Sequence, residues 1–97
     1  MNSRKTFQIK LKDEVVIEKV DQNIILFYPD KNCIINLNRA ASRICELIKN
    51  KIDFDFLVDL YYEQLQEIGR PSKDVIKNDI LNILDKLKEK EMILIFK

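Results

Sequence analysis

Hydrophobic and polar positions along this chain follow two periods, and the change falls near residue 38. Phe7, Ile9 and Leu11 alternate with Gln8, Lys10 and Lys12, a period of two. That predicts a strand, or an N-terminal arm that pairs once it meets a sheet edge. Val15-Val16-Ile17-Glu18-Lys19-Val20 is rich in β-branched residues and predicts a strand. After a turn at Asp21-Gln22-Asn23, the run Ile24-Ile25-Leu26-Phe27-Tyr28 is wholly apolar, as expected of a strand covered on both faces. Pro29-Asp30-Lys31-Asn32 carries turn chemistry, because proline presets φ and Asp and Asn tolerate turn geometry. Cys33-Ile34-Ile35-Asn36-Leu37 is the next strand. Turns this short between consecutive strands predict an antiparallel meander.

Beyond residue 38 the period becomes 3.6. Asn38 is a good N-cap, and Ala41, Ile44, Cys45 and Ile48 fall on one helix face. Lys49-Asn50-Lys51 interrupts the pattern. Asp53 can cap a second helix with the stripe Phe54, Leu57, Val58, Tyr61, Leu65 and Ile68, closed by Gly69 with Pro71 after it. Ser72 can cap a third helix that runs to about Lys90, with Ile76, Ile80, Ile83 and Leu87 as its core stripe. Met92-Ile93-Leu94-Ile95-Phe96 closes the chain as a short strand or a docked apolar tail. Strands grouped before helices predict an α+β domain: a three-stranded antiparallel sheet, three helices and a short C-terminal apolar segment. Residues 1–12 are set apart as an arm or extra strand, and residues 13–97 as the domain proper.

Composition narrows the chemistry. The chain has 97 residues, no histidine and one glycine. Ser-His and Cys-His pairs and His-bearing zinc sites are therefore excluded within it, as are the glycine-rich phosphate loops. Seventeen basic residues against sixteen acidic ones give a net charge of +1, without the basic surplus that non-specific nucleic-acid binding needs. Cys33 lies in an apolar run and Cys45 on an apolar helix face, which predicts two reduced core thiols. No segment reads as a signal peptide, and the apolar runs at 24–28 and 92–96 are too short to span a bilayer. A cytoplasmic location is expected, with no membrane, metal or cofactor involved.

Three stretches carry a family resemblance. Asn23-Ile24-Ile25-Leu26-Phe27-Tyr28, a polar turn and Cys33-Ile34-Ile35-Asn36-Leu37-Asn38 look like a strand, turn and strand ending in Leu-Asn. Asn38-Arg39-Ala40-Ala41-Ser42-Arg43-Ile44 looks like an Asn-x-x-Ala-x-x-Ile/Leu helix start. Asn78-Asp79-Ile80-Leu81-Asn82-Ile83-Leu84-Asp85-Lys86-Leu87 looks like an Asp-Val/Ile-x-x-Phe/Leu-Leu-x-x-Leu third helix. In this order and spacing they resemble the PqqD-like family, the RiPP recognition element, over roughly residues 13–95. Two departures stand out. Asp30-Lys31-Asn32 replaces a turn that often holds glycine, and Lys49-Asn50-Lys51-Ile52 replaces a frequent Asp-Gly. Asparagine can take over positive φ from glycine.

The resemblance implies a winged-helix-like domain that binds the leader of a ribosomally made precursor peptide. The leader adds as a strand beside Cys33-Ile34-Ile35-Asn36-Leu37, in a groove against the third helix, a form of β-augmentation. The expected contact set is Asn32, Cys33, Ile34, Ile35, Asn36 and Leu37 on the strand, with Lys77, Ile80, Leu81, Leu84 and Lys88 on the helix. At 100° per residue, Lys77, Leu81, Leu84 and Lys88 form one flank of the core stripe, and Leu81 and Leu84 read equally well as a wider core face. Val75, Asp79, Asn82 and Lys86 form the opposite flank, the alternative groove wall. The implied role is that of a non-catalytic peptide chaperone. Its partners would be the precursor peptide and a modifying enzyme such as a radical SAM protein, a protease or a cyclase, with Tyr62 a candidate for enzyme docking. The arm at 7–11 allows a homodimer by strand exchange, or a cover over the exposed strand edge.

Three other readings compete. A winged-helix DNA binder would use Lys73, Lys77 and Asn78, but Asp74, Asp79 and Asp85 share that helix. An enzyme could use Glu63 and Glu67, one helical turn apart, but without histidine or a metal constellation a solvated face explains them far better. A protein–protein adaptor would share the edge-strand logic.

Overall fold

In the computed structural model, which describes residues 7–65 and 71–97, the change of period at residue 38 is a change from strand to helix. The order is β1 (Gln8–Leu11), β2 (Val16–Val20), β3 (Asn23–Tyr28), β4 (Cys33–Leu37), α1 (Arg39–Leu47), β5 (Ile52–Asp53), α2 (Phe54–Gln64), α3 (Lys73–Glu89) and β6 (Ile93–Phe96). This is the α+β layout expected from the sequence, with one addition. The meander β2-β3-β4 is antiparallel as anticipated, but a second three-stranded antiparallel sheet, β5-β1-β6, joins the two ends of the chain.

Turn chemistry sets the meander. Asp21, at the tight turn between β2 and β3, has φ 59°. Between β3 and β4, Pro29–Lys31 form one 3-10 turn that ends on Asn32 at φ 50°, whose N–H donates to the Pro29 carbonyl at 3.0 Å. Asparagine here does take the left-handed conformation that glycine would supply. The second departure works differently. Asn50 is not among the positive-φ residues, and the chain passes instead into the two-residue strand β5.

The helices begin largely as their caps predict. The Asn38 Oδ1 accepts from the Ala41 N–H at 2.8 Å, and the Ser72 Oγ accepts from the Val75 N–H at 3.4 Å. Asp53 holds the N-cap position of α2 without a side-chain cap bond, while the Phe54 N–H donates to the Phe7 carbonyl at 2.8 Å. Phe7 and Phe54 also stack, 4.9 Å between ring centres. Helix α2 ends at Gln64; its expected continuation through Ile68 to Gly69 lies outside the described residues. Helix α3 ends in a Schellman motif: Glu91 N–H donates to the Lys88 carbonyl and Met92 N–H to the Leu87 carbonyl. Glu91, at φ 59°, stands where glycine is usual.

One core joins both sheets and all three helices. Ile9 and Leu11 of β1 are buried in it, so the expected arm is built in as a strand between β5 and β6 and does not cover β4. Ser42 is the one buried polar side chain among the described residues. Its hydroxyl accepts from the Ile24 N–H at 2.8 Å and donates to the Leu37 carbonyl at 3.4 Å, tying α1 to β3 and to the end of β4. Both cysteines are free. Cys45 is in the core, where burial pushes its thiol up to about 11, while Cys33 is only half-buried on β4. Among the described residues no helix is long and apolar enough to cross a membrane.

The α3 core stripe departs from expectation by one position. Ile76, Ile80, Leu84 and Leu87 are buried, whereas Ile83 is half-buried. Ile83 and Leu84 lie on either side of the stripe's axis, so a helical wheel admits both; the strands packed on each side decide between them.

Candidate functional site

Among the described residues, strand β4 has β3 on one side and no strand on the other. It carries no charge, no proline and no bulge, the devices that usually protect an edge. Pleating turns Leu37 into the core with Cys33 and Ile35 half-buried behind it, and leaves Ile34 and Asn36 exposed, Ile34 by 65%. Edge β2, by contrast, presents Glu18 and Lys19, and the Lys19 ammonium sits 2.7 Å from Glu46 of α1.

Beside β4 runs a depression of about 110 Å3, floored by Ile35, Leu37 and Ala41 and walled by Ile83, Lys86 and Leu87 of α3. Asn36 and Asn38 stand at its polar rim. Two local decisions create it. Asn38 stops β4 and starts α1 within one residue, which brings Ala41 against the strand's end. The core stripe of α3 then aims Ile83 and Lys86 at β4.

The strand half of the expected contact set is at this edge, with Ile35, Asn36 and Leu37 lining the depression and Asn32 exposed at the turn that precedes it. The helix half is elsewhere. Ile80 is fully buried, Lys77 is exposed and lines neither depression, and Leu84 is 3% exposed in the core. Leu81, Leu84 and Lys88 line a separate depression of about 220 Å3 on the other side of α3, with Phe7, Asp85, Ile95 and Lys97. The α3 flank that faces β4 is therefore the alternative wall, the one containing Lys86. Ile83, Leu87, Asn38 and Ala41 were absent from the expected set because all of them read as core or cap. Asn38 and Ala41 had as a signal only their nearness to the strand's end, and Ile83 and Leu87 only their place on the apolar stripe of α3.

Among the described residues there is no group of three or more His, Cys, Asp or Glu that could hold a metal ion. Glu63 is exposed on α2, and Glu67 lies outside the described residues. Tyr62 is half-buried, with the Lys73 ammonium 5.3 Å from its ring centre.

An α+β domain with an uncharged open edge beside an apolar helix flank is the class that these features define. Two solved structures share the fold. TbiB1 in complex with the TbiA(beta) leader peptide is 21% identical, with a TM-score of 0.76 over 87% of this chain and 93% of that one. Lasso peptide synthetase B1 complexed with the leader peptide is 17% identical, with a TM-score of 0.72 over 89% and 96%. The family model for coenzyme PQQ synthesis protein D (PqqD) matches residues 23–93, and the chain belongs to that family. No curated protein sequence matches it significantly.

Proposed function

We propose that this chain is a non-catalytic peptide chaperone. It binds the leader of a ribosomally made precursor peptide as an added strand on β4 and presents it to a modifying enzyme. The observation that carries this reading is the open, uncharged β4 edge with an apolar depression alongside. Both solved relatives of this fold hold leader peptides, which supports it.

Magnitudes assign the work within the site. A micromolar complex corresponds to about 8 kcal/mol, and a ladder hydrogen bond contributes about 1 kcal/mol net. A handful of backbone bonds to β4 therefore falls short, and the remainder has to come from leader side chains buried against Ile35, Leu37, Ile83 and Leu87. Backbone pairing gives affinity and the pocket gives specificity. The peptide contacts on this reading are Ile34, Ile35, Asn36 and Leu37 with Ile83, Lys86 and Leu87, in place of Leu81, Leu84 and Lys88.

The enzyme partner would be a radical SAM protein, a protease or a cyclase that meets the held peptide; tethering raises its effective concentration without new chemistry. The chain works in the cytoplasm on this reading. Strand β1 pairs with β5 and β6 of its own chain; a homodimer through this segment would exchange β1 between copies, and the mass on sedimentation separates the two states.

The test is fluorescence anisotropy of a labelled peptide taken from the short open reading frame beside this gene. Saturable binding at micromolar concentration or tighter is expected. No binding by folded protein would overturn the proposal in favour of an adaptor or a DNA binder.

A further inference from the structure

Immediately past β4 the chain enters α1, which carries Arg39 and Arg43 one helical turn apart. Arg39 is exposed and Arg43 half-buried. Like charges at this spacing repel, and Arg39 also opposes the helix dipole from the first helical position. Neither guanidinium makes an ion pair among the described residues, although Arg43 also lines a second depression that holds Asp21 and Glu46. Glu46 is the one acid of α1, three residues beyond Arg43, but Lys19 holds it at 2.7 Å and Lys49 at 3.5 Å. From α3, Asp79 acts on the Tyr61 hydroxyl together with Arg43, yet it makes no ion pair with either arginine.

The two arginines, with Ala40, Tyr61 and Leu65, line a depression of about 220 Å3 between α1 and α2. It adjoins the β4 groove through a single stretch of chain. Asn38 and Ala41 line the groove, while Arg39 and Ala40, between them, line this depression. The arginine depression thus begins one residue beyond the lining at the Leu37 end of β4.

We infer that Arg39 and Arg43 receive carboxylate side chains of the same leader, from acidic residues flanking its strand-adding segment at the Leu37 end of β4. The guanidinium fork suits paired bonds to a carboxylate, and Tyr61 and Leu65 line the same depression. This rests on the strand-addition reading and adds the charge of the substrate to it. The arginines would set the register of the peptide, because the apolar groove alone tolerates a slip of two residues.

The experiment uses the labelled leader of the previous subsection with wild-type protein and the double variant Arg39→Gln, Arg43→Gln, at low and high salt. Both positions lie outside the core, so the fold is retained, which circular dichroism checks. A second leader has its Asp and Glu replaced by Asn and Gln. The double variant is expected to bind the native leader about tenfold more weakly at low salt, with a smaller salt dependence. The neutral leader should bind wild type about as weakly, with no further loss on the double variant. Unchanged affinity in the double variant, or a leader with no acid within about six residues of the pairing segment, overturns the inference and leaves strand addition standing. Failure of wild type to bind the native leader overturns both. Salt-sensitive binding of a random-sequence DNA duplex that the double variant loses would assign the arginines to phosphate and also overturn it.

Discussion

The two flanks of α3 each look out on an edge strand, and the edges offer different things. Ile83, Lys86 and Leu87 face β4, a charge-free strand with a shallow apolar floor behind it. Leu81, Leu84 and Lys88 face β6 and Phe7, where Asp85, Lys88 and Lys97 ring the opening and Leu84 belongs to the core. The β6 side is held from beneath by the stack of Phe7 on Phe54 and by the pairing of β1 with both β5 and β6. Adjacent residues 83 and 84 therefore serve different ends: one is left half-open beside a bare edge, the other closes the core. An edge becomes a binding site when it has an unpaired ladder and unfilled apolar space together; β6 is as free of charge as β4, and what sets the β4 side apart is a depression lined by one charged residue, Lys86, against Asp85, Lys88 and Lys97 on the β6 side.

The largest expected effect lies in stability. Leu84→Ala should cost about 2–4 kcal/mol, since it removes a buried side chain and leaves a cavity. Ile83→Ala, already half-open to solvent, should cost about 1 kcal/mol. Urea denaturation reads both, and equal losses would erase the distinction between the flanks. Next comes binding. Ile83→Glu should weaken leader binding at least tenfold, about 1.4 kcal/mol, whereas Leu81→Glu should leave affinity unchanged. The reverse ranking would move the site to the β6 side.

A smaller effect concerns the turn that leads from α3 into β6. Glu91→Gly should stabilise the fold by about 1 kcal/mol, because Glu91 holds φ 59° where glycine has no steric cost. Its exposed ion pair with Lys31 offsets little of that gain. Leader affinity should change little, since the one link from Glu91 to the β4 side is its exposed pair with Lys31 in the turn before that strand. The smallest effect is on pH dependence. The hydrogen bond from Lys19 holds Glu46 below the ordinary carboxylate range. Its contribution is present above the unfolded-state pKa and is lost as pH falls through the lowered folded one. Lys19 is largely exposed, so the loss should be below about 0.5 kcal/mol. Glu46→Gln should flatten acid unfolding by that amount and leave binding alone.

Much of the fold was legible in the sequence. The meander follows from alternation and turn residues, and Asn32 took up positive φ in place of glycine. Asn38 and Ser72 capped the helices that they were expected to cap. The second sheet was not legible, since β1 and β6 come from opposite ends of the chain and no local pattern encodes their register. Strand β5 is two residues long, too short to show a period. The site was half legible. The β4 edge could be found because strand and helix meet at Leu37-Asn38. The α3 flank could not, since a helical wheel ranks faces without saying which neighbour covers each. The arginine pair escaped notice because Glu46, at the spacing of a partner for Arg43, is engaged by lysines distant or adjacent in sequence.

Amide hydrogen exchange across the β4 edge tests the central claim most directly. With saturating leader, the outward-facing amides of Cys33–Leu37 are predicted to slow at least tenfold, while the amides of β2 and β6 keep their rates. Protection of β6 instead, or unchanged exchange along β4 with the leader bound, would contradict strand addition at this edge.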